Sequence, residues 1–92
     1  MYPEVKQKSI DKYLSYLRVE KQYSKLTGSH YSHDLKVFFN FCKERRITHW
    51  HNVNPDQVRM LVMQLVQDGA GSSRIARLLA AIRGFYRYLN IL

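Results

Sequence analysis

Residues 72–89 read "SSRIARLLAAIRGFYRYL", with four arginines and no acid. The large apolar residues recur at helical spacing. Ile75, Leu78, Leu79, Ile82, Tyr86 and Leu89 share one face, which predicts a core-facing amphipathic helix opening at Ser72 or Ser73. Arg74, Arg77, Ala81 and Gly84 are expected on the opposite side, with Arg83 and Arg87 on a flank beside Ala76 and Ala80. A solvated surface helix mixes its charge signs. A helix charged with one sign points instead to a polyanionic partner.

Working outward, the breaks "DGAGSS" (68–73), "RRITHWHNVNPD" (45–56) and "KQYSK" (21–25) leave three further segments of helical length. The nearest begins at "NPDQ". Asn54 as N-cap, Pro55 at the first helical position and Asp56 in the first turn form a strong start signal. Val58, Leu61, Val62 and Leu65 supply its stripe, and Gly69 suits a left-handed C-cap. A helix over about 25–45 starts after a capping Ser24 and carries Tyr31, Leu35, Phe38, Phe41 and Cys42 on one face. Lys25, Ser29, Ser32, His33, Lys36, Asn40 and Lys43 lie on its other face, and Gly28 is a weak spot. The first segment, about 9–21, repeats Ile10, Tyr13, Leu14 and Leu17, with Ser9 as its expected cap. No segment alternates as a strand. The expectation is an all-α fold, a compact bundle of four helices with short connections, forming one domain over residues 1–92.

The chain has 92 residues and a formal net charge of +8. That balance favours nucleic acid over an anionic membrane surface. Its single cysteine, Cys42, allows no internal disulfide, fits a reducing compartment and reads as a small buried hydrophobe. No apolar run approaches the roughly 18 residues of a membrane span, and the N-terminus has no signal-peptide core, so the expected location is cytoplasmic.

The candidate DNA-binding residues follow from charge placement. After Asp68 come four arginines, Arg74, Arg77, Arg83 and Arg87, with no acid. The second helix adds Lys25, Lys36, His30 and His33. Thr27, Ser29, Ser72 and Ser73 lie at or near helix starts, where hydroxyls, free amides and the helix dipole suit phosphate oxygens. Ala81 and Gly84 would let a helix backbone approach DNA closely, and a helix fits the major groove. Against this, Arg83 and Arg87 can be read as surface charges with packed stems, and Thr27 as merely a first-turn residue. The small-residue stripe also fits a helix–helix contact, and through it the alternative of a protein-interaction bundle without DNA binding.

Other chemistry is poorly supported. His49 and His51 flank Trp50 but lack the further ligands of a metal site. "GAGSS" has neither the lysine nor the preceding strand of a phosphate loop. Trp50 reads as a core anchor whose indole N–H would need a partner. Expected catalytic residues, metal and cofactors are therefore none.

The segment "KYLSYLRVEKQYSKLTGSHYSHDLKVFFNFC" resembles the start of tyrosine site-specific recombinases of the Xer and phage-integrase type. Tyr13, Leu14, Leu17, Glu20, Ser24, Thr27, Tyr31, Asp34, Leu35, Phe38 and Phe41 occupy the pattern. "SRIARLLAAIRGFYRYL" then supplies Ser73, Ala76, Arg77, Leu79, Ala81, Ile82, Arg83, Phe85, Tyr86, Tyr88 and Leu89. Ala80 stands where a serine is usual, and Gly28 and Lys25 depart from the commoner residues.

The resemblance implies the N-terminal core-binding, SAM-like domain of such an enzyme. It implies a nucleophilic tyrosine and other catalytic groups in a separate C-terminal domain, absent from this chain, so the chain alone should not cleave DNA. It further implies a clamp around a double-stranded recombination half-site, with helices two and four at the major groove. The implied setting is nucleoid-associated, as in chromosome dimer resolution or integration. Partners would be other recombinase protomers in a synaptic complex, with the isolated domain monomeric and no nucleotide cofactor.

Overall fold

The computed structural model describes residues 4–90. Four α-helices follow in order: α1 (Gln7–Val19), α2 (Lys25–Glu44), α3 (Pro55–Gln67) and α4 (Ser72–Asn90), with a short 3-10 turn at Trp50–Asn52 before α3. Among the described residues the only β-type pairing is an isolated bridge between Glu4 and His49.

Three helix boundaries follow local chemistry. Ser24 Oγ accepts from the Thr27 amide at 3.1 Å and caps α2. Asn54 and Gln57 form a reciprocal capping box at the start of α3, both bonds at 2.9 Å, with Pro55 directly behind. Gly69 adopts φ 94, and the Ala70 amide returns to the Leu65 carbonyl at 2.9 Å, which closes α3. The start of α1 differs from expectation. The helix begins at Gln7, two residues early, and the cap position is Lys6, which makes no side-chain cap bond. Ser9 lies inside the first turn with its amide on the Lys6 carbonyl. The preceding strand-like residues fix the entry instead, since the Val5 amide donates to the Thr48 carbonyl at 2.8 Å.

The core joins Ile10, Tyr13 and Leu17 of α1, Leu35, Phe38, Phe41 and Cys42 of α2, Leu61 and Leu65 of α3, and Leu78, Ala81, Ile82 and Phe85 of α4. Trp50 is its anchor under the loop. The indole stacks on Phe38 at 5.8 Å and meets Phe85 edge-on at 4.9 Å. The expected indole partner is missing, as Trp50 Nε1 is buried with no hydrogen-bond partner among the described residues. The residue's backbone carbonyl is held instead, by the Tyr86 hydroxyl at 2.5 Å.

The covered face of α4 is broader than its apolar stripe and rotated from it. Leu78, Ala81, Ile82 and Phe85 are the buried residues, whereas Ile75, Leu79, Tyr86 and Leu89 are only half-buried. Ala81 is fully buried, and a Cβ at Gly84 would run into the Tyr13 hydroxyl. The small-residue stripe is therefore a helix–helix contact inside the fold, with α1 against Gly84. It is not a surface for DNA or for a partner helix. The physical reason is that α4 packs against both α1 and α2, so two of its sides are covered.

Candidate nucleic-acid interface

Lys25, Ser29, His30, His33 and Lys36 project from α2 and are exposed. Lys43, further along, leans over the Phe39 ring at 5.4 Å. Thr27 is half-buried, and its hydroxyl accepts from Ser24 Oγ at 2.9 Å, so its first role is in the cap. A groove of about 600 Å³ runs between α1 and the start of α2, with Leu14, Leu17, Tyr23, Arg18, Lys25 and Gly28 among its walls.

On α4 the basic residues divide. Ser72 and Ser73 are exposed at its first turn, and the Ile75 amide bonds to the Gly71 carbonyl there. With about 100° between successive residues, Arg83, Arg87, Ser73, Arg77 and Arg74 follow one another around about half of the helix circumference. Arg74 and Arg77 are half-buried, while Arg83 and Arg87 are exposed. Arg87 is close enough to Tyr13 for its charge to act on that phenol, which puts it on the α1 side of the molecule.

Arg77 does not project freely, contrary to its expected place on an outward face. Its Nε donates to Asp34 Oδ2 at 2.8 Å and its Nη2 to Asp34 Oδ1 at 3.2 Å, a two-bond fork across the α2–α4 seam. Asp34 is 2% exposed and the Arg77 side chain 33% exposed. The hydrogen bond to Asp34 raises the Arg77 pKa, so the guanidinium stays charged. Asp34 was not among the candidate site residues. Its signal was its register. It falls three residues after Tyr31 and four before Phe38, on the covered stripe, where a carboxylate requires a cation.

Burial pushes the Tyr13 phenol up to about 12, and burial likewise raises Tyr86. Burial pushes the Cys42 thiol up to about 12 as well. The His49 and His51 rings lie 5.7 Å apart, but no group of three metal-ligating side chains converges among the described residues. No helix among the described residues is long and apolar enough to cross a membrane.

The phage integrase N-terminal SAM-like domain family matches residues 10–90. The chain is similar to the tyrosine recombinase XerC of Pseudomonas fluorescens, 38% identical over 84 residues, 91% of this chain and 28% of that protein. It is 37% identical over 83 residues to the tyrosine recombinase XerC of Pseudomonas putida, covering 90% of this chain and 28% of the relative. The counterpart from Pseudomonas syringae pv. tomato is 36% identical over 81 residues, 88% of this chain and 27% of its own length. The chain thus spans little more than a quarter of the curated relatives it matches. No solved structure matches it.

Proposed function

The chain belongs to the phage integrase N-terminal SAM-like domain family, and on that premise we propose that it is the core-binding module of a tyrosine recombinase. In this reading it grips one recombination half-site of duplex DNA through α2 and α4. The family supplies the recombinase context. The observation that carries the DNA reading is the row of exposed basic and hydroxyl side chains on α2, Lys25, Ser29, His30, His33 and Lys36, beside the acid-free start of α4. Phosphates would be met by Lys25, Lys36, Arg74 and Arg77 with the hydroxyls of Ser72 and Ser73, while Arg83 and Arg87 extend the positive surface past α1. Thr27 contributes chiefly by shaping the α2 terminus.

Strand cleavage and rejoining belong, in this proposal, to the part of the relatives outside the matched quarter. The module acts as one domain without a nucleotide cofactor, in the bacterial cytoplasm, in processes such as dimer resolution or integration. Other protomers are its protein partners in the synaptic complex. Met63 and Val66, exposed on α3, offer an apolar contact surface there.

The test is a titration of the chain with duplex DNA at several salt concentrations. If about five phosphates are neutralised, log K falls with log salt at a slope of about −4.5. An affinity independent of salt, or no perturbation of the α2 and α4 backbone resonances by duplex, refutes the reading.

A further inference from the structure

We infer that Asp34 is a positioning residue for DNA binding, holding Arg77 so that the free end of its guanidinium grips a backbone phosphate; the inference rests on the DNA reading above. A guanidinium has five N–H donors. The side edge, Nε and Nη2, is spent on the two oxygens of Asp34. Both N–H groups of Nη1 and the outer one of Nη2 remain, and one N–H of Nη1 with the outer one of Nη2 forms the end edge that fits two oxygens of a phosphate. Asp34 lies beneath, 2% exposed, and the one-third-exposed arginine is the accessible member of the pair. Arg74 and Ser73, three and four residues before Arg77, share its flank of α4. His30, one turn before Asp34, is exposed on α2.

The acceptor is a phosphate rather than a guanine edge because of reach. Tied side-on to a buried carboxylate, the guanidinium stays level with the α2–α4 seam. A base edge lies in a groove about 8.5 Å deep and needs an extended side chain, whereas phosphates line the outer surface of the duplex. Asp34 also cancels part of the Arg77 charge at long range, so its benefit comes from fixing direction at short range. That separates it from general electrostatics. Asp34→Asn removes a negative charge from a chain already at +8, and simple attraction then predicts tighter DNA binding. Positioning predicts weaker binding.

The experiment measures affinity for two short duplexes, one of mixed sequence and one of A·T pairs alone, at a temperature where circular dichroism shows each variant folded. Expected is a loss of about three- to tenfold for Asp34→Asn and roughly tenfold for Arg77→Ala, the scale of one charge-assisted contact. The loss should be equal on both duplexes, and Asp34→Asn should add nothing once Arg77 is alanine. Should Asp34→Asn fail to fold, Arg77→Lys decides, since it keeps the charge and a carboxylate partner but not the fork. It is expected to lose affinity like Arg77→Ala. Unchanged or tighter binding by Asp34→Asn, wild-type binding by Arg77→Lys, or a loss confined to the guanine-containing duplex overturns the inference and leaves the DNA reading standing. No binding by the wild-type chain overturns both.

Discussion

The hydroxyl of Tyr13 on α1 occupies the space that a Cβ at Gly84 on α4 would need. The contact sets how closely the two helices approach. The Tyr13 ring cannot swing aside easily, since it packs on Phe85 at 5.6 Å and on Tyr88 at 5.2 Å. Gly84→Ala gains about 1 kcal/mol of helix propensity but forces an overpacked contact costing about 1–3 kcal/mol. The expected net outcome is a loss of about 1 kcal/mol in denaturant unfolding. Tyr13→Phe in the same chain removes the clashing oxygen and should restore most of it. A Gly84→Ala chain more stable than wild type would show that the contact is loose.

Gly28 is the opposite case. It sits in the first turns of α2, with its amide on the Ser24 carbonyl at 3.0 Å, and an added Cβ would meet nothing within 4 Å. The methyl of Gly28→Ala enters open space, and the helix no longer bears the entropic cost of glycine. Stability should rise by about 0.5–1 kcal/mol, seen as a melting temperature higher by about 3–6 °C. A lower melting temperature would mean that the start of α2 needs the glycine backbone.

These two glycines show what the sequence discloses and what it conceals. Ser24, the Asn54–Pro55 pair and Gly69 were legible because a cap is a local device, complete within a few residues. The four helices followed, and so did the exposed row on α2. The buried side of α4 was harder to read. Ala81 and Gly84 score as weakly apolar, yet small residues are what a close helix crossing selects, and only the position of Tyr13 reveals the crossing. Asp34 and Arg77 are 43 residues apart. Each alone reads as a solvated charge, and only the packing of α2 on α4 turns them into a pair. Thus Arg77 was legible only as a candidate, and its buried partner was not legible at all.

Alkaline pH should unfold the chain from its core. Cys42 is fully buried and its thiol is raised from 9.0 to about 12. Tyr13 is raised from 10.0 to about 12, and Tyr86 is also raised, each first by burial. Between the unfolded and folded values the unfolded chain has lost these protons and the native chain keeps them. Stability is therefore fully present below about pH 9 and falls as pH rises toward 12. The Cys42 share is up to about 4 kcal/mol. Urea unfolding at stepped pH should show the decline, and Cys42→Ala, though less stable at neutral pH, should delay its onset by about one pH unit. A Cys42→Ala chain with the same pH profile as wild type would remove the thiol from the explanation.

The Asp34–Arg77 pair makes a last prediction, about stability instead of binding. A carboxylate 2% exposed is tolerated because two N–H groups meet its two oxygens. Arg77→Ala strips that partner and leaves an uncompensated buried charge, costing about 3 kcal/mol. Arg77 therefore cannot be altered without cost to the fold, although four half-buried or exposed arginines on one helix suggest a dispensable surface. Replacing both partners by apolar residues of similar shape, Asp34→Leu with Arg77→Met, removes the charge as well as its counter-charge. That double variant should unfold within about 1 kcal/mol of wild type or above it, while still losing DNA affinity. Chemical denaturation of the single and double variants gives the coupling directly. If the double variant is as unstable as Arg77→Ala, the seam depends on the ion pair itself and not merely on satisfying the Asp34 carboxylate.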